Sequence, residues 1–356
     1  MQEASGRPGA PDRKDSMRCN GPRFTRGTWF PSARSPAPPR RALVFWTQPP
    51  STRRDVEHPR AAQHHRTPDT EPLGSAGRAR EASNPEAAHR MADADIAAVA
   101  AAAAAEAPAQ PLAGRVAIVT GASRGIGRAI AAHLSSLGAS LVLGYASRAD
   151  EADALAASLP RAVAVRADVS DEAGARSLFD AAQSAFGGAG AHILVANAGV
   201  LDDSYPAVAG TATESFDRVV AVNLRGAFLC LREAANRLPR GGGGRIVAVT
   251  SSVVGSLPEG YAAYTASKAA VEALVRTMAK ELKGTRITAN CVAPGATATD
   301  MFFAGKSEEM VRRNVVNNPM ERLGEPGDIA PVVGFLCTDA AEWVNGQVIR
   351  ANGGYV

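Results

Sequence analysis

The sequence predicts an α/β fold, namely a single doubly wound parallel sheet with helices on both faces. Continuous apolar runs of four to six residues alternate with helical segments, which is typical of parallel strands that are buried on both faces. A glycine-rich turn at residues 120–127 separates the first strand from the first helix. The fold occupies residues 112–356 of the 356-residue chain, and no repeat of solenoid period divides it.

The elements follow one another in a regular order. Residues 115–120 form the first strand, and residues 128–137 form a helix that ends before Gly138, the residue type that most readily closes a helix in a left-handed conformation. The same patterns predict strands at 140–144, 162–167, 193–196, 245–250, 287–292 and 348–350, and helices at 150–159, 172–186, 213–238 (interrupted near Gly226) and 261–283. Ligands of such sheets bind outside the carboxyl ends of the strands, so the residues that follow the strands are the candidate site.

Residues 1–111 differ in composition from the rest. The first 90 residues carry 13 of the 23 prolines and 16 of the 39 Lys and Arg against nine acidic residues, without apolar periodicity. Such a segment buries too little apolar surface to offset its conformational entropy, so we predict a disordered basic extension and an alanine-rich linker. Residues 1–90 have a net charge of +7 and residues 91–356 one of −3, so the basic balance does not indicate nucleic acid as a partner of the folded domain.

Apolar runs and cysteine spacing limit where the protein can be located and whether it can bind a metal. No apolar run reaches the roughly 18 residues of a membrane-spanning helix. The four cysteines have no paired or metal-ligand spacing, so we predict a reducing, cytoplasmic location, no membrane contact and no metal site. A plastid location stays open if the Arg-rich N-terminus is a transit peptide. Met91 begins Met-Ala-Asp-Ala-Asp, which leaves open that residues 1–90 are an upstream addition.

The glycine-rich turn has the spacing of a dinucleotide site. Gly121, Gly125 and Gly127 lie between the first strand and its helix, where missing side chains let the backbone approach a pyrophosphate. The helix N-terminus offers unpaired N–H groups to the charge of that pyrophosphate. The same turn supplies three further predicted cofactor-binding residues, Ser123, Arg124 and Ile126.

The residues after the second strand indicate which dinucleotide binds. An acidic residue there would accept hydrogen bonds from the adenosine ribose of NAD and repel the phosphate of NADP, yet residues 144–149 contain no acid. Ser147 and Arg148 can contact a 2′-phosphate instead, and Arg124 supplies a second positive charge. NADPH is therefore favoured over NADH, although a single loop arginine is more often simply solvated.

Tyr264 and Lys268, which are four residues apart, form a second motif. Residues four apart share one helix face, so the ammonium favours the charged form of the phenol, whose pKa is otherwise near ~10. Taken alone, Y-x-x-x-K is a weak signal, because it occurs by chance on many surface helices. Together with the glycine turn, the pair indicates a proton donor beside a dinucleotide site.

With these motifs in this order, residues 112–356 resemble the short-chain dehydrogenase/reductases, a family with a Rossmann-like fold. The resemblance implies that Tyr264 is the general acid, that Lys268 also holds the nicotinamide ribose, and that Asn223 bends its helix and anchors a water of the proton relay. It further implies a set of cofactor-binding residues at the strand ends, namely Asp168, Val169, Asn197, Ala198, Gly199, Pro294, Gly295 and Thr299.

The catalytic serine is ambiguous in the sequence. In many family members the catalytic serine lies thirteen residues before the tyrosine, which selects Ser251. Matching residues 252–255 to the family's usual S-V-x-G pattern selects Ser252 instead. We prefer Ser252, because the geometry of a strand end fixes a hydroxyl more rigidly than the length of a loop does.

The resemblance implies NADPH-dependent reduction of a small-molecule carbonyl, an aldehyde or a ketone, by a homodimer or homotetramer. Two other functions stay open. One is a 3-oxoacyl-carrier-protein reductase, and the other is a catalytically silent NADP-binding scaffold protein, which the presence of all four catalytic positions disfavours. Residues 300–320, a predicted lid, and the loop at 201–208 are expected to set the choice of substrate.

Overall fold

The computed structural model describes residues 110–188 and 190–356. The prediction of a disordered basic extension falls on residues 1–111, nearly all of which lie outside the described part. Leu112 is fully buried, and its backbone N–H donates to the carbonyl of Leu137, so the packed region includes this residue.

One parallel sheet organises the described residues, which confirms the predicted fold class. Its seven strands are β1 Val116–Thr120, β2 Ser140–Tyr145, β3 Ala162–Arg166, β4 Ile193–Ala196, β5 Arg245–Val249, β6 Thr288–Pro294 and β7 Val348–Ala351. They lie in the order β3-β2-β1-β4-β5-β6-β7, with Ile118 paired to Val142 on one side and to Leu194 on the other. The order reverses beside β1, and this is where doubly wound sheets open a crevice.

The helices of the described residues connect these strands. They are α1 Gly125–Ser136, α2 Ala149–Ser158, α3 Glu172–Phe186, α4 Thr213–Val220, α5 Ala227–Arg237, α6 Val253–Ser256, α7 Ala262–Glu281, α8 Asp300–Phe303, α9 Glu308–Val316 and α10 Pro326–Cys337. A π-helical turn, Ala221–Gly226, joins α4 to α5, so the predicted interruption near Gly226 is confirmed. Gly138 has a φ of 99° and closes α1 as predicted.

Two apolar layers, one on each face of the sheet, form the core. Alternate residues of a strand point to opposite faces, so Ile118 packs with α3, α5 and α7 through partners such as Leu178 and Leu231. Val119 belongs to the other layer, where it packs with α1 and α10, including Leu134. The two layers hold the sheet rigidly, so that the loops at the carboxyl ends of its strands have fixed positions.

Candidate active site

A cleft of about 950 Å³ opens at the carboxyl ends of the strands. Every residue that the sequence predicts to bind the cofactor lines this cleft, from the glycine turn to Thr299. Of the predicted catalytic residues, Ser252, Tyr264 and Lys268 also line it, whereas Asn223 lies behind its wall. The sequence patterns therefore converge on one place in the fold.

The glycine turn fits a pyrophosphate because no side chain can occupy it. Gly121 and Gly125 have φ values of 64° and 55°, a region that favours glycine. At Gly127 a Cβ would lie 2.1 Å from the carbonyl oxygen of Gly121. Helix α1 begins at Gly125, three residues before the predicted start, and its first three residues line the cleft. The first N–H groups of a helix have no partner within the helix, so they are available to a ligand there.

The N-A-G segment after β4 braces the same turn. The Asn197 amide donates from Nδ2 to the carbonyls of Thr120 (2.9 Å) and Gly121 (3.1 Å). The Thr120 hydroxyl in turn accepts from the backbone N–H groups of Asn197 and Ala198, both at 2.9 Å. These four hydrogen bonds join the end of β1 to the end of β4, so this part of the cleft is preorganised for a ligand. Thr120 was not among the predicted site residues.

At the far end of the cleft, both arginines that the sequence assigns to a 2′-phosphate form ion pairs. Arg124 Nη1 lies 2.6 Å from a carboxylate oxygen of Asp300, and Arg148 Nη1 lies 2.6 Å from Glu151. Roughly half of each arginine side chain is exposed, so these pairs contribute little stability and are readily exchanged for a phosphate. Asp168 accepts from Ser170 and does not cap the next helix, a role that belongs to Asp171.

Tyr264 and Lys268 lie together on α7, as their spacing predicts. Lys268 Nζ lies 5.6 Å from the centroid of the Tyr264 ring and donates to the carbonyl of Val249 at 2.9 Å. Burial raises the pKa of Tyr264 to about 12, and the same cause lowers the pKa of Lys268 to about 8. The predicted lowering of the phenol pKa by the ammonium is therefore outweighed by burial. Near neutral pH the Tyr264 phenol keeps its proton, and Lys268 is charged in most molecules.

The two candidate serines, Ser252 and its alternative Ser251, both line the cleft but differ in their hydrogen-bond partners. Ser252 is buried; its hydroxyl donates to the carbonyl of Ala293 (3.1 Å) and accepts from Nδ2 of Asn352 (3.0 Å). Ser251 is the serine whose hydroxyl interacts with the phenol, because a side-chain hydrogen bond between them lowers the pKa of Tyr264 against the effect of burial. Two protein partners therefore already engage the Ser252 hydroxyl, one on β6 and one just after β7.

Asn223 occupies the π-helical turn and holds a neighbouring loop. Its Oδ1 accepts from the backbone N–H of Val200 (2.7 Å), and its Nδ2 donates to the carbonyl of Val200 (2.9 Å). Nδ2 also approaches the hydroxyl of Ser267 on α7 at 3.2 Å. This buried amide therefore connects the loop after β4 to the helix that carries Tyr264 and Lys268.

The end of the cleft beyond Tyr264 is closed by the two regions that were expected to set substrate choice. Residues 300–320 contain α8 and α9, and the loop at 201–208 packs against them. The Tyr205 hydroxyl donates to the carbonyl of Ala304 (2.9 Å) and accepts from Lys306 Nζ (2.5 Å). Tyr205, Tyr261 and Lys306 were not among the predicted site residues, because no local spacing connects positions so far apart in the chain.

A parallel doubly wound sheet with a glycine turn after β1 and a Tyr–Lys pair beside it defines a dinucleotide-dependent oxidoreductase. A protein-family model described as "Enoyl-(Acyl carrier protein) reductase" matches residues 121–356. The chain belongs to the short-chain dehydrogenase/reductase family. It is an oxidoreductase, and its cofactor is NADP(H).

Two curated relatives come from Arabidopsis thaliana. The chain is 56% identical to "NADPH-dependent aldehyde reductase-like protein, chloroplastic", over 70% of its own length and 97% of that protein. It is 51% identical to "NADPH-dependent aldehyde reductase 2, chloroplastic", over 72% of its length and 99% of the relative. Among solved structures, a short-chain dehydrogenase from Burkholderia cenocepacia in complex with NADP matches with a TM-score of 0.64 at 33% identity, covering 69% of this chain and 99% of that one.

Two other expectations bear on surfaces and ligands. Within residues 110–188 and 190–356, no helix is both long enough and apolar enough to cross a membrane. The same residues contain no cluster of three or more His, Cys, Asp or Glu side chains that could hold a metal ion. Cys230, Cys291 and Cys337 are free, buried thiols.

Proposed function

We propose that this protein reduces the carbonyl of an aldehyde or ketone to an alcohol, with Tyr264 as the proton donor. One observation carries the proposal: the Tyr264 phenol and the Lys268 ammonium lie together, 5.6 Å from ring centroid to Nζ, in the cleft that the glycine turn also lines. The names of the two Arabidopsis relatives, which describe NADPH-dependent aldehyde reductases, support carbonyl reduction as the reaction class.

The residues of the cleft fit NADPH, which supplies a hydride to the carbonyl carbon when bound. The glycine turn would hold the pyrophosphate, while Arg124, Arg148 and Ser147 would hold the 2′-phosphate. Asp168 would accept from the adenine amine, and Pro294, Gly295 and Thr299 would hold the nicotinamide carboxamide. Each of these residues lines the same cleft, and the turn leaves a backbone cradle that a Cβ would fill.

Three side chains have direct roles in the proton transfer to the carbonyl oxygen. The Tyr264 hydroxyl gives its proton to the carbonyl oxygen as that oxygen gains negative charge. The Lys268 ammonium, 5.6 Å from the ring, stabilises the phenolate that forms. The Ser251 hydroxyl, which interacts with that phenol, orients the carbonyl oxygen by a hydrogen bond. Asn223 does not line the cleft and acts through the Val200 loop, so we assign it a positioning role.

Further proposals concern the location of the enzyme in the cell, its domain boundary and its assembly. The words "chloroplastic" in the names of both Arabidopsis relatives favour the plastid location over the cytoplasmic one. The domain boundary near residue 112 and a homodimeric or homotetrameric assembly are retained from the sequence analysis, and a truncation experiment described below tests both.

The first test replaces Tyr264 by Phe. Removing a general acid lowers turnover by about 10²-fold or more, whereas the affinity for NADPH should change little because the hydroxyl faces the substrate. Loss of NADPH absorbance would be followed with aldehydes, ketones and 3-oxoacyl thioesters, and cofactor affinity by fluorescence titration. More than a few per cent of residual activity would contradict the assignment. A wild-type protein that binds NADPH but reduces no member of the panel would support the silent-scaffold alternative.

A further inference from the structure

Beside Tyr264, the cleft wall contains a lysine ammonium surrounded by aromatic rings. Lys306 Nζ lies 4.5 Å from the ring centroid of Tyr205, 4.6 Å from that of Phe302 and 5.7 Å from that of Tyr261. It donates to the Tyr205 hydroxyl at 2.5 Å and to the carbonyl of Phe302 at 2.6 Å. An ammonium has three N–H donors, so one donor is left for a ligand in the cleft that Lys306 lines.

The charge of Lys306 is not neutralised by the protein around it. Within the described part of the chain, no carboxylate forms an ion pair with this half-buried side chain; its oxygen partners are a phenol and a peptide carbonyl. Burial alone lowers the pKa of Lys306, to about 8, so the group is mostly charged near neutral pH. The aromatic rings attract the ammonium through their π faces but carry no net charge, so they do not neutralise it. An anionic ligand would therefore be a favourable further partner of this partly desolvated cation.

The backbone around this ammonium is tightly constrained. Gly305 has a φ of 68°, and a Cβ there would lie 1.8 Å from the carbonyl oxygen of Asp203. Tyr205 itself adopts a φ of 48°, which is uncommon for a residue with a side chain, and its ring lies 5.0 Å from that of Tyr261. Lys306 is therefore held in place before any substrate binds, which lowers the entropy cost of recognising one.

One aromatic ring, that of Tyr261, lies near both this cation and the proton donor. The Tyr261 centroid lies 5.7 Å from Lys306 Nζ and 6.4 Å from the Tyr264 centroid. The ammonium and the proton donor therefore belong to one neighbourhood of the cleft. A short organic molecule with a carbonyl at one end and a charged group at the other could meet both.

Glu259 and Arg313 are charged groups that also line the cleft, and both are exposed. Glu259 would repel an anion and Arg313 would attract one, but water and salt screen interactions of exposed groups. Lys306 is the half-buried member of the three, so its charge acts through a less polar medium. Its contribution should therefore dominate the electrostatic preference of this end of the cleft.

We propose that Lys306 is a specificity-determining residue that binds the carboxylate of an oxo acid, so that the preferred substrates are aldehydes or ketones carrying an anionic group a short spacer away from the carbonyl. The inference rests on the proposed function, because it names the substrate class of the same cleft. It goes further in assigning recognition to a residue outside the Tyr–Lys pair and the cofactor site.

The test compares ω-oxo carboxylates with their methyl esters, which match them in length and shape but lack the charge. Wild-type protein should reduce the best acid with a kcat/KM at least ~10-fold above that of its ester, the scale of one charge-assisted hydrogen bond. Lys306→Met, which keeps an unbranched side chain among the rings, should remove that preference and leave the ester within about twofold. Lys306→Arg should restore part of the preference.

Two controls separate charge recognition from a purely structural role. Tyr205→Phe removes the hydroxyl that accepts from Lys306 but keeps the cation, so the acid should stay preferred over the ester. Arg313→Ala removes an exposed cation of the same cleft and should change the acid-to-ester ratio by less than about twofold. If wild-type protein does not distinguish acid from ester, or if Lys306→Met weakens both equally, the ammonium only supports the wall and the proposal is overturned.

Binding measurements keep this inference separate from the proposed reaction. The affinity of the NADPH-loaded protein for ω-hydroxy carboxylates would be measured by calorimetry in wild type and Lys306→Met. If no carbonyl is reduced but the carboxylate binds in a Lys306-dependent way, the carbonyl reductase proposal fails and the anion subsite stands. If carbonyls are reduced without preference and carboxylates bind both proteins equally, the subsite fails and the reductase stands.

Discussion

At the residue scale, the serine pair illustrates the limit of motif matching. Ser251 and Ser252 are adjacent; the spacing to Tyr264 selects Ser251, whereas the S-V-x-G pattern selects Ser252, which we preferred on the sequence. The direction of each side chain is set by bonds to residues far away in the chain, because Ala293 and Asn352 hold the Ser252 hydroxyl. Such long-range partners are absent from any local pattern. Tyr264 and Lys268 could be predicted because a helix fixes their relative positions within four residues.

Replacing the two serines in turn should give opposite results. Ser251→Ala should lower kcat/KM by about 10²-fold, the usual effect of removing a donor to the substrate oxygen, with an unchanged melting temperature. Ser252→Ala should keep turnover within a few-fold but cost about 1–3 kcal/mol of unfolding free energy, because Asn352 loses a buried partner. Steady-state kinetics and thermal unfolding of both variants check this. The reverse pattern would restore Ser252 as the catalytic serine.

At the element scale, the predicted bounds of α3 and β4 agree with the structure residue for residue. Each of the other predicted strands differs from the structure by one residue at one end, except β6, which differs by one residue at its start and two at its end. Helix α10 was not predicted, although Pro326 in its first turn and the capping box of Glu325 with Asp328 are helix-start signals. Pro331 within the helix argues against helical structure in a local analysis. Packing of α10 against α1 and the sheet overrides that local preference.

The loops after β1 and β2 carry the prediction on cofactor choice. Replacing both Arg124 and Arg148 by Ala should weaken NADPH binding by ~3 kcal/mol, about 100-fold in dissociation constant, because charge-assisted hydrogen bonds to the 2′-phosphate are lost. NADH affinity should barely change. Fluorescence titration of both cofactors measures this, with Arg312→Ala, an exposed arginine that does not line the cleft, as the matched control. Equal weakening of NADPH and NADH would place the two arginines away from the phosphate.

At the scale of the whole molecule, the sheet and the position of the cleft could be predicted because short apolar runs mark most of the strands and alternate with helical segments. The substrate end could not, since it is assembled from residues near 205, 261 and 306 that meet only after folding. Motifs that are far apart in the sequence therefore lie next to one another at the carboxyl ends of the strands. Nothing in the described residues bears on the predicted extension, and that prediction is open to a direct test.

A chain that starts at Met91 should keep full activity and the oligomeric size of the whole protein. The cofactor turn, the Tyr–Lys pair and both core layers lie beyond residue 110, so the removed segment contributes none of them. Kinetics with NADPH and light scattering of both proteins provide the comparison. As a control, a chain that starts at Gly121 lacks β1 and should not fold. An inactive or monomeric product from the Met91 start would show that the domain boundary near residue 112 is wrong.

The π-helical turn between α4 and α5 sets a rule for how this region can change in length. Loops of the molecule can gain or lose a residue with little effect beyond themselves. Within residues 221–226, losing one residue would leave a continuous helix but rotate one half against the other by about 100°. Asn223 could then no longer face Val200 while Leu229 and Leu231 face the core. Related sequences that keep both contacts should therefore show neither insertions nor deletions between these positions, even where their residues differ.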